Sequence, residues 1–391
     1  MYHYGITIRE YRDQAKMTQQ QLADRWPKSE RFGGGEGVNL TYVQDIERGR
    51  KRIDDPQTLR KVCGLLAIPL WKVGLGEYDP FTATLTGKST YQKTFELIDF
   101  TLRQVWILRK ASLLQPAREA ITQLGNIFTY FETDNLPPVK LEARYLHLFA
   151  DYQCVNGVLA VDAMHYDQAL CFYGRMYEIA KELDDPALIA HSLMNLGVEH
   201  DRKADYTQSV QYLEEARDYT FETSKAWSVI IHSYLSRAYA SVGDAFHFHR
   251  ANDTARRLST YLAPDFSQDQ DEVYYTLGSI LAERSAGYLA LGEPQQTLAL
   301  REEITTQFAL DRDSRLQGWV YLDYAKAYRM LGEIERAITE LREFYARCKV
   351  MGSSHALSNV TKVLSALDEA GYGDMQAVKE FKEEIREEAK Q

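Results

Sequence analysis

The segment GWVYLDYAKAYRMLGEIERAITELREFY at 318–345 recurs in weakened form upstream, and this recurrence constrains the fold more than any other property of the 391-residue chain. Aligning its Ala325, Tyr328, Gly332, Ala337 and Leu341 backwards gives Ser285, Tyr288, Gly292, Thr297 and Arg301, then Ser236, Tyr239 and Gly243. Gly197, Ser209, Leu213 and Ala216 follow, and more faintly Gly157, Ala169 and Tyr173. The small anchors at 157, 197, 236, 285 and 325 lie 40, 39, 49 and 40 residues apart. A period of that length means one helical hairpin per repeat, each burying its apolar face by stacking on the next. The small residue lets the two helices approach closely, and the aromatic fills the space beside it. The sequence therefore predicts an all-α chain, with a right-handed solenoid of hairpins and a concave inner face over 91–350. Residues 95–150 are expected to add one or two degenerate repeats, and 351–391 to form capping helices.

The first seventy residues have a different rhythm. Ile8, Tyr11 and Ala15 predict a helix ending near Met17. Thr18 and Gln21 fit a capping box that opens a second helix, with Leu22 and Ala23 turned inward. Asn39 suits the N-cap of a third helix whose inner face is Val43 and Ile46 and whose C-terminal stop is Gly49. Pro56 opens a fourth with Leu59, Val62 and Leu66 on one side, and Pro69 a short fifth around Leu70 and Trp71. Five short helices make a small domain at 1–73, and the Gly-, Thr- and Pro-rich segment 74–90 reads as linker. Charge divides the same way. Residues 1–72 hold 13 Lys+Arg against 9 Asp+Glu, whereas the rest holds 33 against 47. A basic head on an acidic body suits a chain in which only the head must neutralise phosphates.

The motifs TQQQLA at 18–23, YVQDIERGRKRI at 42–53 and TLRKVCGLLAIPL at 58–70 resemble the Cro/repressor-like helix-turn-helix family. The departure is PKSERFGGGEG between Trp26 and Val38, about ten residues more than the family's turn, which affects where the third helix is placed. The resemblance implies that this helix enters the major groove with Leu40, Thr41, Gln44, Asp45 and Arg48 outward. Gln44 suits adenine, Asp45 the cytosine amino group, Thr41 a thymine methyl or a phosphate, and Gln19 the backbone. Arg48, Arg50, Lys51 and Arg52 are candidates for phosphates.

The long-period hairpins are similar to tetratricopeptide repeats, and the order of domains resembles the peptide-pheromone-responsive (RRNPP-class) regulators of Gram-positive bacteria and their phages. That resemblance implies a homodimer on a pseudo-palindromic operator, with a short re-imported peptide bound inside the solenoid. The candidate peptide contacts are His191, Asn195 and Arg202, then Ser233, Tyr234 and Arg237, then Asp323, Lys326 and Arg329, with Arg237, Lys326 or Arg329 set to take a terminal carboxylate.

Other chemistries find little footing. No segment approaches the 18 apolar residues of a membrane span, and the N-terminus lacks a secretory signal, so a cytoplasmic location is expected. Cys63, Cys154, Cys171 and Cys348 lie too far apart for a zinc or disulfide framework and read as reduced core residues. Neither the GGGEG loop nor Gly87-Lys88-Ser89 meets P-loop spacing, and His247 and His249 do not share a helical face. No catalytic constellation and no cofactor site stands out. The alternatives are a DNA-tethered adaptor that recruits a protein, a head used only for protein contact with its long turn blocking the groove, and, last, an enzyme such as a solenoid phosphatase.

Overall fold

Local chemistry decides where the head helices begin. In the computed structural model, which describes residues 4–28, 35–53, 55–73, 75, 90–133, 136–261, 275–309 and 314–388, helix α1 runs Tyr4–Gln14 and α2 Gln19–Asp24. Thr18 Oγ1 accepts from Gln21 N at 3.1 Å and Gln21 Oε1 from Thr18 N at 2.8 Å, which is the expected capping box. Helix α3, Leu40–Glu47, is capped by Asn39, whose Oδ1 accepts from Thr41 N. Helix α4, Pro56–Leu66, is capped by Asp55. Ile8, Leu22, Ala23, Trp26, Val43, Ile46, Leu59, Val62 and Leu66 form one core. Two expectations need correction. Helix α1 stops at Gln14, because Lys16 turns left-handed (φ 54°), and Ala15 is left exposed. The fifth helix is a single 3-10 turn, Leu70–Val73.

The long turn between α2 and α3 is pinched off at its base. Val38 N donates to Ala23 O and Gly37 N to Trp26 O, both at 2.9 Å, and Lys28 N donates to Gly35 O across an antiparallel bridge joining Pro27 to Glu36. The chain thus leaves α2 and returns to α3 at nearly one point, so α3 packs against α2 regardless of the extra residues between. Residues 29–34, part of the GGGEG loop, the linker 76–89 and its Gly87-Lys88-Ser89 lie outside the described residues.

Among the described residues seven helical hairpins follow. They are α5/α6 (Thr90–Lys110, Leu114–Thr133), α7/α8 (Val139–Asp162, Tyr166–Leu183), α9/α10 (Pro186–Arg202, Tyr206–Tyr219), and α11/α12 (Lys225–Ser241, Ala245–Ser259). Next come α13 (Leu277–Ala290) with its broken partner α14 and α15 (Pro294–Ala299, Arg301–Ala309), then α16/α17 (Ser314–Met330, Ile334–Met351) and α18/α19 (Ser354–Glu369, Gln376–Glu388). Each first helix ends the same way. Ser112, Met164, Ala204, Gly243, Gly292, Gly332 and Gly371 all have positive φ, and the next residue's N–H donates to the carbonyl five back at 2.8–2.9 Å. This is the Schellman closure, which satisfies carbonyls the helix leaves unpaired. Five of the seven left-handed residues stand seven positions after the sequence anchors 157, 197, 236, 285 and 325. The other two stand seven positions after Val105 and Leu364, large residues in place of a small anchor, in the stretches expected as degenerate repeats and capping helices.

The anchors act as close-approach points. A Cβ added at Gly157 would lie 2.3 Å from the Tyr173 ring, and one at Gly197 2.6 Å from Leu213. Ser236, Ser285 and Ala325 are fully buried, and Thr297 Oγ1 donates to Ser285 O across the hairpin at 2.9 Å.

The chain divides into two units, residues 1–101 with 122–149, and residues 102–121 with 150–391. In the first, Tyr91, Phe95, Phe128, Phe131, Tyr145 and Phe149 make an aromatic cluster with ring centroids 5.0–6.5 Å apart. In the second, successive hairpins pack on their neighbours, and one contact departs from that rule. Tyr166 Oη meets His355 Nδ1 at 2.9 Å and Ser353 Oγ donates to Asp162 O at 3.4 Å, so the start of α18 rests on the α7/α8 turn some 190 residues earlier. Cys63, Cys154 and Cys348 are buried, and burial pushes their thiols up to about 11, 12 and 12. Cys171 is exposed, contrary to its reading as a core residue, because it lies on the outward face of α8. Among the described residues no helix is long and apolar enough to cross a membrane.

Candidate nucleic-acid face and ligand recess

The head is locked by a charged group in its core. Glu47, on the last turn of α3, has a side chain only 2% exposed and accepts from Arg12 Nε at 2.6 Å and Nη2 at 3.2 Å. Arg12 Nη1 also donates to Met17 O and Asp13, and the hydrogen bond to Glu47 holds the guanidinium above its ordinary range against the cost of burial. Gln19, at the start of α2, donates to the same carboxylate at 2.6 Å, and Gln44 Nε2 reaches Gln19 Oε1 at 3.4 Å. One buried anion therefore joins α1, α2 and α3, and it orients the two glutamines.

This placement sorts the predicted DNA contacts. Thr41, Arg48, Arg50, Lys51 and Arg52 are exposed. Arg9, Arg12, Asp13, Gln19, Glu47 and Arg48 line one polar recess. Asp45 is mostly covered, lies 3.5 Å from Lys51 Nζ, and accepts the N–H groups of Arg50 and Lys51 on its carbonyl. The amide nitrogen of Gln19 is committed inward to Glu47, so this side chain positions its neighbours before it reaches anything outside.

The second candidate site lies in the second unit, where α9, α11, α13 and α16 bring polar groups from consecutive hairpins together. His191 Nε2 and Asn195 Nδ2 both lie 3.7 Å from Cys154 Sγ, and His191 packs on Trp227 with ring centroids 4.6 Å apart. Burial lowers His191 to about 4, so the ring is neutral at neutral pH. Arg202 bonds Glu199 at 2.6 Å, and Arg109 bonds Asp162 at 2.9 Å. Arg237 sits between Asp201 at 3.1 Å and Glu283 at 2.6 Å, with its guanidinium 5.5 Å from the Tyr234 ring centroid. Burial alone would lower Arg237, but the two carboxylates outweigh it and raise it.

Asp323, Lys326 and Arg329 on α16 form no ion pair with any described residue. Burial pushes Asp323 up to about 6, although Lys326 acts against the shift. Ser233 is fully buried with its hydroxyl donated to Val229 O, so it faces the hairpin packing rather than an open face.

No family model matches the chain, and no curated protein matches it in sequence. Solved structures do. The chain is similar in fold to RapI. The apo form of RapI is 13% identical, with 80% of this chain and 97% of that one covered at a TM-score of 0.51. A Rap protein complexed with competence and sporulation factor is 11% identical over 75% of this chain and 77% of that one, at a TM-score of 0.49. Bacillus thuringiensis PlcR, in complex with the peptide PapR7 and DNA, is 14% identical over 90% of this chain and 97% of that one, at 0.39. Such identities speak for fold alone, and of these RapI carries that inference: an all-α array of tetratricopeptide-like hairpins.

Sequence reasoning missed Arg12, Glu47, Glu199, Asp201 and Glu283. The signal for the first two was phase. Arg12 stands four residues after Ile8 and Glu47 four after Val43, so each charge falls on an apolar helical face. A charged residue in core register needs a partner, and these two are each other's.

Proposed function

We propose that the chain is a DNA-binding regulator: the head reads a double-stranded, pseudo-palindromic operator as a homodimer, and the repeat body controls it by binding a short peptide. The observation that carries the proposal is the Glu47 network. It fixes α2 and α3 to α1 with the polar face of α3 outward, so Thr41, Gln44, Arg48, Arg50, Lys51 and Arg52 are offered together from rigid elements. The pinch at Trp26 and Gly37 supports it as well, because the long turn leaves the packing of those helices intact. In the body, His191, Asn195, Arg202, Tyr234, Arg237, Asp323, Lys326 and Arg329 supply hydrogen-bond donors and acceptors, which suits an extended peptide.

The test is binding of the full chain to DNA from its own upstream region, against an unrelated duplex, across a salt series. Four phosphate-bound cations in each head, eight in the dimer, give a log–log salt slope of about −7, and Arg48→Ala, lost from both heads, reduces that slope by about 2. Gln44→Ala weakens the specific duplex and leaves the unrelated one unchanged. Equal affinity for both duplexes, with no effect of either substitution, refutes the proposal. The adaptor reading has one observation in its favour: Phe221, Phe246 and Tyr261 are 89%, 70% and 65% exposed on the body. Recovery of a stoichiometric protein partner that these residues hold, without specific DNA binding, would replace the first reading by the second.

A further inference from the structure

We infer that the recess between α9, α11, α13 and α16 takes a positively charged group of its ligand, an ammonium or guanidinium, and not a carboxylate. The inference rests on the peptide reading above and specifies which end or side chain of the peptide enters this part of the body.

Arg237, one of three cations expected to take a terminal carboxylate, is already held by Asp201 and Glu283. With Asp323 the recess holds three carboxylates, and against them stand Arg237 and Lys326, the latter near Asp323 but not paired with it; Arg202, also within range of Glu283, is offset by its own partner Glu199. One negative charge is left over, and Asp323 is the carboxylate without an ion pair. Burial raises both Glu283 and Asp323, against the opposing pull of Arg237 and Lys326, so the recess leaves its carboxylates poorly solvated. A carboxylate entering here would face three like charges, whereas a cation would complete the set.

A second observation points to the same place. Tyr275 is 7% exposed, and its hydroxyl lies beside Glu283, Tyr234 and Arg237 with no hydrogen-bond partner. It comes near Ser233 Oγ without bonding geometry. Arg237 Nε is likewise buried and unpartnered. Unpaired buried donors are costly, and these two stand beside Glu283, which is itself within charge–charge range of Asp323. A cationic group attached to a carbonyl-bearing backbone answers both needs at once, with the charge on Asp323 and the carbonyl on Tyr275 or Arg237.

Randomised heptapeptide pools carrying one fixed residue test this, with Lys/Arg, citrulline, norleucine or Glu at the fixed position, titrated against the full chain and Asp323→Asn. The Lys/Arg pool is expected to bind about tenfold tighter than the citrulline and norleucine pools and tighter still than the Glu pool. Asp323→Asn should bring the Lys/Arg pool down to the norleucine pool, while a thermal melt shows the variant folded. Binding without charge preference, or a preference that survives Asp323→Asn, overturns the inference and leaves the peptide reading standing. Failure of every pool to bind removes the peptide reading, and the inference with it.

Discussion

Replacing Glu47 by alanine should loosen the head more than any other single truncation there. The carboxylate accepts three hydrogen bonds, two from Arg12 and one from Gln19, and both charged partners are almost fully buried, at 2% and 8% exposure. Removing it strands a guanidinium that keeps only Asp13 and Met17 O. Breaking a buried pair by removing one partner costs about 3–5 kcal/mol, because the remaining charge stays desolvated. At about 1.4 kcal/mol per tenfold, amide hydrogens of α1 and α3 should exchange roughly 100- to 4,000-fold faster in Glu47→Ala, while those of α9–α13 keep their wild-type rates. The double variant Arg12→Met with Glu47→Leu, which replaces both charges by apolar groups, should recover most of that protection. Gln19 and Gln44, released from their anchor, should in addition cost specific DNA binding in both variants. The reasoning is wrong if Glu47→Ala changes head exchange less than threefold, or if the double variant is as unprotected as the single one.

Three further outcomes are expected. Asp323 is raised to about 6, so the folded chain holds its proton more tightly than the unfolded chain between about pH 4 and 6. Its contribution is fully present below that window and lost as pH rises through it. Asp323→Asn should therefore match the wild type in urea unfolding near pH 4 and exceed it by at most about 3 kcal/mol above pH 6, two units at about 1.4 kcal/mol each; a pH-independent difference would contradict this. Gly157→Ala should destabilise the body by about 1–3 kcal/mol, since the new Cβ would lie 2.3 Å from a buried Tyr173 ring, which outweighs the gain in helix propensity. Gly174→Ala on the facing helix meets nothing within 4 Å and should stabilise by about 0.5–1 kcal/mol, so thermal melts of the two variants move in opposite directions. Replacing residues 29–34 by Asn-Gly, which keeps the Lys28 N to Gly35 O bond, should close the pinch as a two-residue hairpin and leave exchange protection of α2 and α3 within threefold.

Much of the architecture is local chemistry and was legible in the residues. Thr18 with Gln21, Asn39, and Asp55 before Pro56 set helix starts through side chains that bond the nearest backbone groups, and no distant partner is needed. The repeat anchors are legible for a related reason: the space between two helices of a hairpin must be filled by residues a fixed distance apart in sequence, as Gly157 and Tyr173 do. Periodicity was fainter where the anchor is large, at Val105 and Leu364, because the same backbone turn can be reached without a small residue, and those stretches were legible only as degenerate repeats and capping helices.

The sequence by itself thus determined the helices, the repeat and a polar face on α3, all properties of short stretches. The tertiary structure decided which charges meet. Arg12 finds Glu47 across 35 residues, Arg237 finds Glu283 across 46, and His355 finds Tyr166 across 189. Those meetings depend on the register between stacked helices, and a helical period of 3.6 marks a face without saying which residue of another helix will stand opposite. For that reason Arg237 looks in the sequence like an open cation for a carboxylate, and only the packing of α9 and α13 around it shows that its charge is already spent.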